Sequence, residues 1–346
     1  MVQMLETKNA LENLDVTVIL ARDRDDIVQA DVVHVFNCQT IEDSLQWIYM
    51  AREIGKPIVL STIFWDLAHY FYVSNLFKIG IDYTTHNFEF LKPLFDRLAR
   101  LSAFLTGKPA YYGKVYAERV RLAVELVDVL LPNSIEEEYI FTHFFGTGVG
   151  KTDVVLNATR QDLFKLSTVH RDIDILSVGR LEPTKNQLGL ARACSSMGIS
   201  LKLIGNEGEN KNYLKALYRV VADASNISVV SRNLPKEEIA ALMSRARVHA
   251  LPSFRESPGL VTLEALASGC STVVSDVAFC PVNTYFKDFI DRTVYVCNPY
   301  DVNSISYAVS GALVNAHDAR PVLAADVSWE SISQKTLSVY KRIINQ

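Results

Sequence analysis

The chain has 346 residues, room for two domains at roughly 150 residues each, which excludes a small module stapled by disulfides or metal. Hydrophobic residues make up 49% and charged residues 21%, a globular balance that excludes a largely disordered or collagen-like chain. With 35 Lys+Arg against 39 Asp+Glu the formal charge is -4, which argues against whole-chain attraction to nucleic acid and names no other partner. The 5 cysteines, Cys38, Cys194, Cys270, Cys280 and Cys297, lack CxxC spacing, so neither a disulfide framework nor a zinc ribbon is signalled and a reducing, cytoplasmic location is expected. The opening MVQMLETKNALENLDVTVIL interleaves charges with apolar residues, unlike a signal peptide, and no run approaches the ~18 to 20 apolar residues of a membrane span.

In chain order, Met4 to Leu14 reads as a helix and Val16 to Leu20 as a strand. Further strands are expected at Val32 to Phe36, Pro57 to Ser61, Val129 to Pro132, Asp153 to Leu156, Ile173 to Val178 and Ser200 to Ile204. Ile227 to Val230, Val248 to Leu251, Thr272 to Ser275 and Thr293 to Val296 complete the set. Most are followed by a polar or glycine-containing turn and a segment of helical period, the pattern of an α/β protein with parallel sheets. A turn-rich seam near Asn157 to Ser167 separates two groups of strands. Two Rossmann-like domains facing each other across a cleft are therefore expected, residues 1–158 and 159–328, with an amphipathic helix at Trp329 to Ile344 packing back across the seam. The strand and phosphate-facing turn that ordinarily open such a domain are missing ahead of Met4, so the first domain is expected to lack its first strand. Either it begins atypically or the true start lies upstream.

The stretch Ala250 to Asp276, ALPSFRESPGLVTLEALASGCSTVVSD, is the most informative. A strand ends at Leu251, a polar loop follows, Pro258 and Gly259 open a helix, and Gly269 closes it. Glu256 falls in the loop and Glu264 more than one turn inside the helix, so the two mark the ends of an extended ligand rather than a paired acid and base. The helix start between them exposes unpaired N–H groups, an anion site approached past the small residues Ser257 and Gly259. The plainer reading makes Glu256 a dipole complement and Glu264 a solvated helix residue. A second element, SVGRLEPTKNQ, sets Arg180 and Lys185 on the loop after a strand, where two cations can clamp a diphosphate or stand as solvated charges.

GRLEPTKN together with SFRESPGLVTLEALASG resembles the C-terminal half of the family 4 glycosyltransferases of GT-B fold, which carry a GR-L-x3-K-G loop and an E-x7-E motif. LLPNSIEEEYIFTHFFG, VVLNATRQDLF, LIGNEGEN and SWESISQKTLSVYKRI extend the likeness over nearly the whole C-terminal half, and more loosely before it. The resemblance implies a retaining enzyme with a nucleotide diphosphate sugar as donor substrate in the C-terminal domain, an acceptor in the N-terminal domain, and neither metal nor cofactor. By position, Arg180 and Lys185 would hold the diphosphate, Glu264 the ribose, and Glu256 would face the donor sugar. Pro258, Gly259, Leu260 and Val261 would contact sugar hydroxyls and phosphate, with Gly205 in the glycine loop.

Around PIVLSTIFWDL the family's usual His is replaced by Phe64, Trp65 and Asp66. Asp66 is either on the acceptor side or an ordinary helix cap. His34 reads as a core histidine, while His69, His86 and His143 have no distinguishing spacing. Lys92 to Arg121 holds seven Lys or Arg against two acids, interleaved with Leu, Phe and Tyr: a surface for anionic lipid, or an ordinary amphipathic helix. The leading expectation is hexosyl transfer to a saccharide or polyprenyl-linked acceptor, peripheral to the inner membrane face, in surface polysaccharide (lipopolysaccharide O-antigen or capsule) assembly. A catalytically silent GT-B scaffold and a nucleotide-sugar epimerase are the alternatives.

Overall fold

The structure, a computed structural model, describes residues 2–66, 68–85, 94, 97, 113–146, 150–257, 259–316 and 327–345. From the amino end come α1 (Val2–Glu12), α2 (Arg24–Gln29), β1 (Val33–Phe36), α3 (Ile41–Ile54), β2 (Ile58–Ser61) and α4 (Ala68–Lys78). Then follow α5 (Lys114–Leu126), β3 (Val129–Leu131), α6 (Ile135–Phe145), β4 (Ile173–Val178), α7 (Gln187–Met197), β5 (Leu201–Ile204), α8 (Lys211–Asp223) and β6 (Ile227–Val230). The chain continues through α9 (Lys236–Arg245), β7 (Ala246–Leu251), α10 (Leu260–Ala267), β8 (Ser271–Ser275), α11 (Val282–Tyr285), β9 (Val294–Cys297), α12 (Val302–Asn315) and α13 (Trp329–Ile344).

Residue contacts divide the chain into two units. The first gathers the amino end up to Trp65, the region from α5 to Ala158, and α13. Its sheet is β1-β2-β3, all parallel, with Val35 beside Leu60 and Leu60 beside Leu130. The middle strand, Ile-Val-Leu-Ser, is buried on both faces, as a parallel sheet covered by helices requires. Ile48, Leu60, Phe64 and Phe141 pack on one face, Leu11, Val59, Leu131 and Tyr340 on the other. Buried Glu137 ties the exit of β2 to α6: its carboxylate accepts from Thr62 Oγ1 and from the N–H groups of Phe64 and Asn133, while Ser134 caps the helix.

Two expected strands are not strands. Val16 to Leu20 joins no ladder, and Asp153 to Leu156 runs along β3 through Asp153 N to Leu130 O and Val155 N to Pro132 O without forming a regular strand. Apolar alternation specifies an extended segment; a strand also needs a neighbour in register.

The second unit takes Thr159–Leu323 and a segment from earlier in the chain that begins at Asp66 and includes α4. The expected boundary at 158/159 assigned that segment to the first domain. Asn210 Nδ2 donates to Ser74 O, Asn212 Nδ2 to Phe77 O, and Arg192 pairs with Asp82 at 2.5 Å. The sheet is β6-β5-β4-β7-β8-β9, parallel throughout, so the first strand in sequence lies at its centre in the doubly wound order. Its core lies on both faces, around Ile175, Leu203 and Val248 on one and Leu176, Ile204 and Ala265 on the other. All five cysteines are free and buried. Most of the Lys92 to Arg121 stretch lies outside the described residues, and no described helix is long and apolar enough to cross a membrane.

His249 on β7 sits between Leu176 and Thr272 in register and is fully buried, which pushes its ring down to about 3 from the usual 6.5. The folded unit therefore binds fewer protons than the unfolded chain below pH 6.5; this stability is complete above 6.5 and is lost as pH falls toward 3. Between pH 7.5 and 5.5 the loss is about 1.4 kcal/mol. Urea unfolding at the two pH values should show it, and His249→Leu should remove that part of the difference.

Candidate functional site

Turns at the carboxyl ends of β4, β5 and β7 build the site, where open parallel sheets bind ligands. Gly179 N bonds to Ile204 O and Gly205 N to Val230 O, so the strands end level with one another. Gly205 has φ +151, and a Cβ there would stand 2.1 Å from Gly179 O, so no side chain fits. Leu181 N to Asn206 O and Gly208 N to Leu181 O knit the two turns together. A cavity of about 260 Å³ opens between them, lined by Gly179, Arg180, Gly205, Asn206 and Asn233 among others. Arg180 is mostly exposed, 3.7 Å from Glu182.

Lys185 ends a single helical turn, Pro183–Lys185. Its Nζ donates to Glu256 Oε1 at 2.6 Å, and Ser253 Oγ donates to the same oxygen at 2.7 Å. Glu256 N is held by Phe279 O at 2.8 Å. The lysine's backbone is fixed on both sides. Phe254 N donates to Thr184 O, and Asn186, with φ +55, donates to Pro299 O while its Oδ1 caps α7 through Gly189 N and accepts from Tyr83 Oη. Where the resembled motif has glycine, asparagine tolerates the left-handed backbone and adds these bonds.

Gly259 caps α10 with φ +82, and a Cβ on it would stand 3.1 Å from Glu256 Oε2. Behind it the N–H groups of Leu260 and Val261 begin the helix, before any intrahelical acceptor is available to them. Glu264 lies one turn further, 6% exposed rather than solvated, and accepts from Lys236 Nζ at 3.2 Å. Each glutamate of the E-x7-E pair thus faces a lysine from another element. Ser257 follows Glu256 in the same loop; Pro258 lies outside the described residues.

The structure therefore brings Lys185 to Glu256, Gly259 to Glu256, and Arg180 to Gly205 across one cavity. The two groups adjoin, since a Cβ on Gly179 would stand 3.7 Å from Lys185 Cγ. Asp66 Oδ1 accepts from Ala68 N at the head of α4, in the second unit. Sequence reasoning missed Lys236 and Asn186. Lys236 opens a helix after Pro235, a signal of position only, and Asn186 is disclosed by its left-handed backbone. Among the described residues no three His, Cys, Asp or Glu side chains gather to hold a metal ion.

The family model described as glycosyl transferases group 1 matches residues 159–321. Curated relatives include a glycogen synthase of Mycobacterium tuberculosis, 28% identical over 231 residues, covering 62% of this chain and 54% of that one. The O-antigen chain mannosyltransferase B of Escherichia coli is 29% identical over 178 residues, 48% of this chain and 45% of that one. The chain spans about half the length of the curated relatives it matches. Among solved structures, the sucrose-phosphate synthase of Thermosynechococcus elongatus aligns with a TM-score of 0.68 at 17% identity, covering 93% of this chain and 78% of that one. HepE of Anabaena, solved in complex with UDP-glucose, aligns at 0.65 and 14% identity, covering 92% and 80%. At these identities the likeness establishes the fold, which is GT-B: two Rossmann-like units.

The Gly205 contact gives a test of how tightly this edge is built. Gly205→Ala should cost about 3 kcal/mol or more, because a backbone carbonyl must move. Gly198→Ala, whose φ is +67 with nothing within 4 Å of the added Cβ, should cost only ~1 to 2 kcal/mol. Chemical denaturation of the two variants compares them directly.

Proposed function

We propose that this chain, whose residues 159–321 match the family model described as glycosyl transferases group 1, transfers a sugar from a nucleotide diphosphate donor to a saccharide acceptor. The observation that carries this reading is the Lys185–Glu256 pair set beside the amino end of α10 and the Gly179–Arg180 turn. Lys185 supplies a positive charge already fixed in place, α10 supplies unpaired N–H groups, and Arg180 stands exposed at the adjoining cavity. Such an array suits a diphosphate and stabilises the negative charge that develops as the sugar–phosphate bond breaks.

In this mechanism the bond from the anomeric carbon to the diphosphate oxygen breaks through an oxocarbenium-like state as the acceptor oxygen bonds to that carbon from the same face. The acceptor proton passes to the departing phosphate oxygen, so configuration is retained and no carboxylate acts as nucleophile. Glu256, fixed by Lys185 and Ser253, faces the sugar through its second oxygen, Oε2. Glu264 binds the ribose hydroxyls, and the backbone from Ser257 to Val261 holds the sugar and phosphate. The first unit is assigned the acceptor, a saccharide or polyprenyl-linked saccharide in surface polysaccharide assembly, with the 92–121 stretch resting on the inner membrane face. The O-antigen relative supports the pathway, and the HepE complex with UDP-glucose supports the donor class.

Donor turnover by the purified protein tests the assignment. Lys185→Ala should lower kcat about 10²- to 10³-fold, the scale of a lost transition-state donor. Glu264→Gln should weaken donor binding roughly tenfold, the scale of one hydrogen bond to a charged group. Wild-type kinetics in both variants would refute the site.

A further inference from the structure

Lys236 lies outside both sequence motifs that mark the donor side, yet its ammonium group stands against Glu264. Resting on the reading of Glu264 as the ribose contact, we propose that Lys236 is a positioning residue. It orients the Glu264 carboxylate to accept from both hydroxyls of a ribose, and so gives the site a preference for a ribonucleotide donor over a deoxyribonucleotide one.

The packing of α9 beside α10 fixes where the two charges meet. Leu234, Ile239 and Ala240 share one apolar cluster with Val261 and Ala265. Helix α9 begins directly after Pro235, with Lys236 as its first residue, and Ile239 N to Pro235 O closes the first turn. Glu237 and Glu238 in that turn complement the positive end of the helix, whereas a lysine there opposes it. Formation of α9 therefore gives no reason for a cation at this position; the carboxylate on the neighbouring helix does. Asn233 and Ile239, on either side of Lys236 in the chain, line the cavity shared with Arg180 and Gly205, so the segment carrying the lysine also borders the donor side.

Glu264 is the less mobile member of the pair. It sits in the run LVTLEALA, 6% exposed, and its backbone oxygen accepts from both Ser268 N at 3.0 Å and Ser268 Oγ at 2.9 Å. A carboxylate so withdrawn from water depends on charged or hydrogen-bonding partners. What remains to be set is the plane of its two oxygens, and a cation approaching Oε1 selects that plane.

The closeness of the contact suits orientation rather than capture. Lys185 meets Glu256 at 2.6 Å, but Lys236 stands 3.2 Å from Glu264 Oε1, and its side chain is 39% exposed. Charge-assisted bonds of this type run at about 2.7 to 2.9 Å, so Lys236 attracts Oε1 without closing on it. A carboxylate has roughly four lone-pair sites, and one N–H does not exhaust them. Hydroxyl groups are uncharged donors that leave the lysine's attraction in place, so the ammonium group and a ribose can hold the same carboxylate together.

A lysine that only neutralised a buried carboxylate would affect every donor alike, and this difference is measurable by calorimetry. The probe is the tightest binder among UDP, GDP and ADP, compared with its 2′,3′-dideoxy form. The wild-type chain should bind the dideoxy form about tenfold or more weakly, the scale of a hydrogen bond to a charged group. Lys236→Met should weaken the ribonucleotide about five- to tenfold and the dideoxy form less than about twofold, while Lys236→Arg, which keeps the charge, should recover most of the affinity. Adding Lys236→Met to Glu264→Gln should cost little more, because the lysine acts through the glutamate. Equal weakening of both nucleotide forms by Lys236→Met, or losses that add in the double variant, would overturn the proposal. A dideoxy penalty abolished by Glu264→Gln but intact in Lys236→Met would overturn the role of Lys236 and leave that of Glu264 standing. A penalty that survives Glu264→Gln, or binding of none of the three diphosphates, would overturn the ribose reading of Glu264 and the role of Lys236 with it.

Discussion

The ion pair between Lys185 and Glu256 organises the carboxyl edge of the second unit, because it joins the turn after β4 to the loop after β7 at 2.6 Å. Both side chains are largely withdrawn from solvent, and a pair so placed recovers its desolvation cost only if the remaining polar atoms are also satisfied. Ser253 Oγ adds a second donor to Glu256 Oε1, and Phe279 O holds the glutamate's backbone. The pair is therefore more informative about geometry than about stability. It keeps an ammonium group at one place beside the amino end of α10, so that under the proposed function a diphosphate would meet a charge that needs no rearrangement.

The surroundings of that pair explain two other features. Gly205 must be glycine because the β5 turn is pressed against the carbonyl of Gly179, and this contact sets the adjoining cavity and leaves Arg180 at its rim. Asn186 occupies a left-handed position directly after Lys185 and bonds to Tyr83 from the segment containing α4. Tyr83, Phe254 and Tyr300 form one aromatic cluster, with ring centres 5.2 Å apart for Tyr83–Phe254 and 4.7 Å for Phe254–Tyr300. Residues from before the first unit's α5 thus brace the loop that carries the site.

Much of this was legible in the sequence. Short Val, Ile and Leu runs gave β1 to β9 to within a residue or two, and the Pro-Gly start and Gly269 stop framed α10. Motif spacing singles out Lys185, Glu256 and Glu264 as candidates, and the burial of Glu264 replaces its plainer reading as a solvated residue. Long-range choices were not legible. Nothing local in AHYFYVSNLFK says which unit α4 packs on, because an apolar helix face fits either core. Lys236 as the partner of Glu264 depends on α9 lying beside α10, which only the sheet order decides. The alternating run Val16 to Leu20 shows the converse, since a sound strand pattern remains unladdered when no neighbour completes it.

The central claim, that the turns after β4 and β5 and the head of α10 together hold a nucleotide diphosphate sugar, is tested most directly by amide exchange in the full chain with UDP-, GDP- and ADP-sugars added in turn. The account predicts that one of these donors slows exchange together at Gly179–Arg180, Gly205–Asn206 and Leu260–Val261. Exchange unchanged at all three places with every donor, or slowed only elsewhere, would contradict it.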